Sequence, residues 1–249
     1  MKKKTFLLCI SLICLFVLSS CGLDTLLVLY VPTSKQNDPN VESLWDKKYF
    51  DFWTSDTTNQ NTISSEYTFL GTNIFYKIYN NTTTMNSEIS TISTISNSTN
   101  YQNAIEKLTN VKSSGGYGYK QLKASGSSAT PIVPASLLKI NQRVYIRLTD
   151  YNSSSEYSSR FTIDDSSIGQ PRRDNGKNFN FGRSVSDSNA QIPSSSDSDV
   201  EYSSTFTAAN KWYVVLYAVS VARDSTYTNQ YSNVINLGAV MIDSSEIYN

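Results

Sequence analysis

Histidine is absent from all 249 residues. That removes the Ser-His-Asp triad, the Cys-His pair and the usual histidine-bearing catalytic zinc sets. Cysteine is almost absent: Cys9, Cys14 and Cys21 are the only three. Beyond them the chain has no thiol and no disulfide, which a body of this length tolerates because it buries an adequate core without staples. An excess of one charge is also missing, with 21 basic against 21 acidic residues. Without a strong positive field to hold a phosphate backbone, nucleic acid is not an expected partner. The chemistries left open are a carboxylate-pair glycosidase, a serine–lysine hydrolase and a calcium site.

What is present begins at the amino terminus. Met1-Lys2-Lys3-Lys4 opens an apolar run from about Phe6 to Leu18, and small residues precede Cys21. A basic start, an apolar centre and a small-residue end make an export signal. The Leu18-Ser19-Ser20-Cys21 ending resembles the lipobox of bacterial lipoprotein precursors. The resemblance implies a signal peptide over 1–20, a mature chain that starts at Cys21, and acyl chains such as palmitate on that residue. It also implies a lipid-anchored location in the cell envelope. Gly22 is not the aspartate that marks inner-membrane retention in some bacteria, which points to the outer membrane. Removal of 1–20 takes away three of the 21 basic residues and no acid, leaving 18 basic against 21 acidic. Each buried CH₂ of an acyl chain contributes about 0.8 kcal/mol, so two or three chains make release negligible.

Serine, threonine and asparagine number 40, 23 and 23, and tyrosine 17. Thr, Tyr, Phe and Ile favour strands, while Ser and Asn favour turns. The reading is a single all-β domain over 21–249 with long polar loops. Leu26 to Val31 reads as a first strand ended by Pro32, too short to cross a bilayer. Tyr49 to Trp53 is a second strand, with Phe52 or Trp53 facing the core, and Thr54 to Ser65 a polar loop. Tyr67 to Tyr79 is a third, with Ile74, Tyr76 and Ile78 on one face and Phe75, Lys77 and Tyr79 on the other. Ile89, Ile92 and Ile95 recur every three residues. Tyr101, Ala104, Ile105 and Leu108 then predict a short helix near Asn100 to Thr109, with Asn100 as its cap. Tyr117 to Leu122, Leu137 to Ile140, Val144 to Leu148 and Arg160 to Ile163 read as extended. Asp174-Asn175-Gly176 reads as a hairpin. Ser184 to Ser198 reads as a flexible polar loop, and Trp212 to Val221 and Tyr231 to Ile242 as closing strands.

Parts of these segments resemble fibronectin type III and related immunoglobulin-like sandwiches. Gly71-Thr72-Asn73-Ile74-Phe75-Tyr76-Lys77 is similar to one characteristic strand of that family. Trp212 to Val219 and Tyr231-Ser232-Asn233-Val234-Ile235 are similar to its last two, and Trp53 would stand for its core tryptophan. Thr72 and Trp212 depart from the tyrosines usual at those positions. The resemblance implies an antiparallel β-sandwich with a large, partly helical and loop-rich insertion at about 81–204. It also implies binding rather than catalysis.

Candidate sites follow. Cys21 is the expected lipidation site, and the lipid bilayer the expected partner through it, with a protein or glycan as further partner at the envelope. Arg172-Arg173-Asp174 could grip an anion, though such a cluster is commonly a solvated hairpin tip. Asp187, Asp197 and Asp199 could hold calcium but lack the glycine turn and bidentate glutamate of a dedicated loop. Asp164, Asp165 and Glu201 are the acids a glycosidase would need. Trp45, Tyr117 and Tyr119 could stack on sugars. Asn97-Ser98-Thr99 carries little meaning in a bacterial chain. No catalytic residue, metal ligand or cofactor site is assigned; the expected role is non-catalytic binding, adhesion or structure. The alternatives are a carboxylate-dependent glycoside hydrolase and a periplasmic sugar or lipid carrier.

Overall fold

The structure is a computed structural model that describes residues 27–35, 47–96, 101–149, 158–181, 191–205 and 210–243. The signal segment, Cys21, Trp45, Asn97-Ser98-Thr99, the Asn100 cap and Asp187 lie outside these residues. The strands are β1 (Thr33–Ser34), β2 (Tyr49–Trp53), β3 (Tyr67–Tyr79), β4 (Lys120–Gln121), β5 (Lys123–Ala124), β6 (Val133–Pro134) and β7 (Arg143–Arg147). They continue with β8 (Arg160–Ile163), β9 (Ser166–Gly169), β10 (Pro171–Arg172), β11 (Val200–Glu201), β12 (Lys211–Asp224), β13 (Asn229–Tyr231) and β14 (Ile235–Asp243). The helices are α1 (Asp56–Thr62), α2 (Thr82–Ser96) and α3 (Tyr101–Thr109).

The fold is mostly β. A smaller sheet runs β1-β2-β7-β8-β9, antiparallel throughout. The larger is built on β3 and β12, which pair antiparallel from Tyr67↔Asp224 to Tyr79↔Tyr213. Short strands complete its two edges. β14 and β13 lie beside β12; β6, β4 and the parallel β11 lie end to end beside β3.

Strand alternation decides the layers. Ile74, Tyr76 and Ile78 of β3 point toward the smaller sheet with Trp212, Val214 and Leu216 of β12. There they meet Phe50 and Phe52 of β2, Val144 and Ile146 of β7 and Phe161 of β8. The opposite face of the same sheet, with Phe75, Tyr79, Tyr213, Val215 and Tyr217, packs against Met85 and Ile92 of α2 and Ala104, Ile105 and Leu108 of α3. The result is sheet, sheet and helices, with the larger sheet as a wall shared by two cores. The Asn81 side-chain oxygen accepts from the Thr83 and Thr84 backbone N–H groups at 2.8 and 3.3 Å and so caps α2.

Several expectations need correction. Residues 27–32 form no strand, although Leu29 is buried; the first pairing is at Thr33–Ser34. Thr54 to Ser65 is not all loop but contains α1. Phe52 faces the core, and Trp53 lies on the outer face of the small sheet, where the Lys35 ammonium sits 4.6 Å from its ring centre. Trp53 is therefore no core tryptophan. Leu137 to Ile140 is an exposed turn with Lys139 at φ 54°, not an extended segment. The Asp174-Asn175-Gly176 turn is real, closed by Gly176 N–H to Arg173 O at 2.9 Å, but only Gly176 has positive φ, and the strand before it pairs with β5. The 81–204 segment supplies not only α2 and α3 but β7, β8 and β9 of the smaller sheet.

Candidate functional site

The end of β3 carries the most concentrated polar chemistry. Lys77 points to the helical face because its neighbours Tyr76 and Ile78 point to the sandwich core. Its side chain is 4 % exposed and its ammonium meets two carboxylates, Glu88 at 2.8 Å and Glu201 at 2.9 Å. Glu88 comes from α2, where it occupies the buried stripe Met85, Glu88, Ile92. Glu201 comes from β11, set beside Tyr79 by the parallel register. Lys112, on the turn after α3, pairs with the same Glu201.

Tyrosines surround this group. The Tyr79 hydroxyl donates to Glu88 Oε2 at 2.7 Å and pairs with the Tyr119 hydroxyl at 2.8 Å. The Tyr119 ring meets the Tyr217 ring edge-on at 5.3 Å. The Lys77 ammonium lies 5.1 Å from the Tyr79 ring centre and 5.8 Å from those of Tyr117 and Tyr119. Burial, helped by the nearby Glu88 charge, pushes the hydroxyls of Tyr79, Tyr119 and Tyr217 above the usual phenol range, so all three keep their protons. For Glu201, burial pushes the carboxyl up, but hydrogen bonds and charge from Lys112 and Lys77 outweigh it and hold the group below its ordinary value.

Above this group the surface opens into a cleft of about 340 Å³, whose lining includes Lys77, Lys112, Tyr117, Lys120, Glu201 and Tyr202. Chemically it offers cations, carboxylates already paired to them, and two accessible phenol rings. It can bind a polar ligand.

A second polar group lies on the other side of β3. Arg173 is fully buried, and its guanidinium donates to Asp199 at 2.6 and 2.8 Å and to Asp197 at 2.7 Å. The Tyr76 hydroxyl donates to Asp199 at 2.5 Å and accepts the Asp174 N–H at 2.7 Å. Lys177 reaches Asp197 at 2.9 Å. The solvated-tip reading of Arg172-Arg173-Asp174 is thus overturned at its centre: Arg173 is a core clamp, while Asp174 is exposed. The same clamp pins the described half of the polar loop expected over 184–198. Asp197 and Asp199 are spent on Arg173 and Lys177, and among the described residues no three acids or thiols gather as metal ligands.

The remaining candidates separate. Asp164 and Asp165 form the positive-φ turn between β8 and β9 on the small sheet, with Asp164 Oδ1 accepting the Arg143 N–H at 2.7 Å. Glu201 belongs to the edge of the other sheet, so the acids a glycosidase would pair have different partners on different sheets. Of the aromatics, Tyr117 lines the cleft and Tyr119 is buried beneath it. Sequence reading missed Glu88 and Lys112; a glutamate interrupting the stripe Met85, Ile92 was the one legible signal. Comparison with protein-family models, curated proteins and solved structures yields no match.

Proposed function

We propose that this chain is a lipid-anchored protein of the bacterial envelope, held at the outer membrane through acylated Cys21, with a non-catalytic binding role. The observation that carries the reading is Cys21 in its setting: three lysines, an apolar run, Leu-Ser-Ser, then the cysteine. No helix of the described residues is long and apolar enough to cross a membrane. Metabolic labelling with a clickable palmitate tests it. Label should enter the wild type and be lost in Cys21→Ala; equal incorporation in both, or none in either, removes the reading.

The body is read as a fibronectin type III or immunoglobulin-like sandwich with extra parts. What supports this is pairing order: β1-β2-β7 faces β3-β12-β14, and the chain visits the two sheets in the sequence that family uses. The outward Trp53, the added β8–β9 hairpin and the helical layer are departures from it.

The binding surface is the cleft at the end of β3, and the ligand class that suits it is a polar glycan, with Tyr117 and Tyr202 as stacking faces and the lysines as donors. The balanced ion network, the lowered Glu201 and the scattered acids speak for binding over hydrolysis. The filled sandwich interior speaks against a carrier. Titration with envelope glycan fragments should give saturable binding that falls at least about tenfold, or 1.4 kcal/mol, in Tyr117→Ala.

A further inference from the structure

The larger sheet has two ends, and the one opposite the cleft carries exposed leucines. Between β6 and β7, Leu137 is 98 % exposed and Leu138 78 %, with Ile140 half exposed beside them. Neighbouring leucines this bare forgo the burial that normally places them inside. Nor is the loop slack. The buried Asp56 carboxylate accepts the Ser136 N–H at 2.6 Å on one flank and the Gln142 side-chain amide at 2.9 Å on the other. Gln60 donates to Ser136 O at 2.9 Å, and the Asn141 side chain accepts the Thr57 N–H at 2.9 Å. Lys139 N–H closes the turn on Ser136 O at 3.1 Å. Apart from this last bond, the partners lie in α1, so the turn is held out by its stem.

The same short helix holds the start of the described chain. Asn59 pairs with both backbone groups of Tyr30, accepting N–H at 2.7 Å and donating to O at 3.0 Å. Leu27, Leu29 and Ala135 share one small apolar cluster. Val28 and Tyr30, each nearly half exposed, add to the same end. A seven-residue helix is about 10 Å long, so Tyr30 and the leucine loop leave the body close together. Cys21 precedes Leu27 by six residues, at most about 21 Å of chain.

We propose that the 136–140 turn is a second membrane contact: Leu137, Leu138 and Ile140 enter the headgroup–acyl boundary beside the anchor, with Lys139 meeting anionic headgroups. The partner is a lipid surface, and the inference rests on the anchored reading above. What selects lipid over a protein groove is the convergence of the leucines, the exposed Tyr30 and the chain leading back to Cys21 on one end of the body.

The test uses the full chain isolated from membranes with its own anchor. Acylation consumes the Cys21 thiol, so Leu138→Cys gives one labelling site for an environment-sensitive nitrobenzoxadiazole dye, and Ser204→Cys, exposed at the far end, gives the control. The labelled proteins are placed in vesicles of phosphatidylethanolamine with a minority of phosphatidylglycerol. The dye at 138 should shift to shorter wavelength and be quenched by nitroxide-bearing lipid, while the dye at 204 does neither. A dye at 138 as wet as at 204, on protein whose N-terminal peptide mass carries acyl chains, overturns the proposal. So does a shift that needs no vesicles and grows with protein concentration, which would mark a contact between copies. An N-terminal peptide without acyl mass, with the shift at 138 retained, would remove the anchor and leave the loop contact standing.

Discussion

Lys77 holds two carboxylates from two different elements, and among the described residues no other cation forms an ion pair with Glu88. Lys77→Met therefore leaves the buried Glu88 carboxylate without its cation, while Glu201 keeps Lys112. A loss of about 3–5 kcal/mol is expected by urea denaturation, the usual cost of breaking one side of a buried pair. Lys77→Met with Glu88→Leu should recover part of it, and a double mutant no better than the single would refute the coupling. The acids also set a pH response. Asp197 and Glu201 are both held below the ordinary carboxylate value of about 4, against burial that pushes them up, by Lys177 and Arg173 in the first case and Lys112 and Lys77 in the second. The unfolded chain takes up protons at a higher pH than the folded one, so this stabilisation is complete above about pH 5. It drains away as pH falls through the folded values. Asp197→Asn should lower the melting temperature at pH 7, with the gap to wild type closing toward pH 3. At this scale the sequence was legible where alternation decides a face, as at Ile74 to Tyr79. It was silent on Arg173, because a doublet of arginines beside Asn-Gly reads the same whether it points in or out.

Among the elements, β3 tolerates a close neighbour only because Gly71 interrupts it. Gly71 has φ 129°, and a Cβ there would meet Val133 O at 2.2 Å, the backbone of β6. The pairing with β12 slips at this point, since Val221 pairs with Gly71 and Ala222 with Phe69. Gly71→Ala must strain φ and displace the stem of the leucine turn together, a loss greater than about 1 kcal/mol. Thermal melting should fall by at least about 2–4 °C; an unchanged midpoint would mean that β6 moves aside freely. Strands with a clear period of two, such as Tyr49–Trp53 and Arg160–Ile163, were readable from sequence, and so was α3 from its apolar spacing. α1 was not. Its residues Asp-Thr-Thr-Asn-Gln-Asn-Thr are poor helix formers without an apolar stripe, and what holds them is tertiary: Asn59 on Tyr30 and Asp56 on Ser136. β5 and β6, two residues each, have no sequence signature at all, and β4 was legible only as part of the extended segment Tyr117 to Leu122.

At the level of the whole molecule, the β3–β12 pair is a wall common to both cores. Neither the helical layer nor the smaller sheet keeps its apolar face covered if that wall opens. A single cooperative transition follows, in which far-ultraviolet circular dichroism and tryptophan emission superimpose in urea. Two separated midpoints would mean that one layer comes away first. The mostly β class was legible from composition and alternation. The helical layer over its outer face was only half legible, because the isoleucine spacing over 89–95 named no structure by itself.

The wall also sets a distance. Thirteen residues of β3 rise by about 40 Å, with the leucine turn near its first residues and the tyrosine cleft at its last. If, as proposed, the protein is lipid-anchored and stands on its leucine-turn end, the cleft is carried out past the headgroups to a fixed height, like a lamp on a post. Anything it captures must then reach it from solution or from an opposing surface, and not from the lipid in which the protein itself is planted.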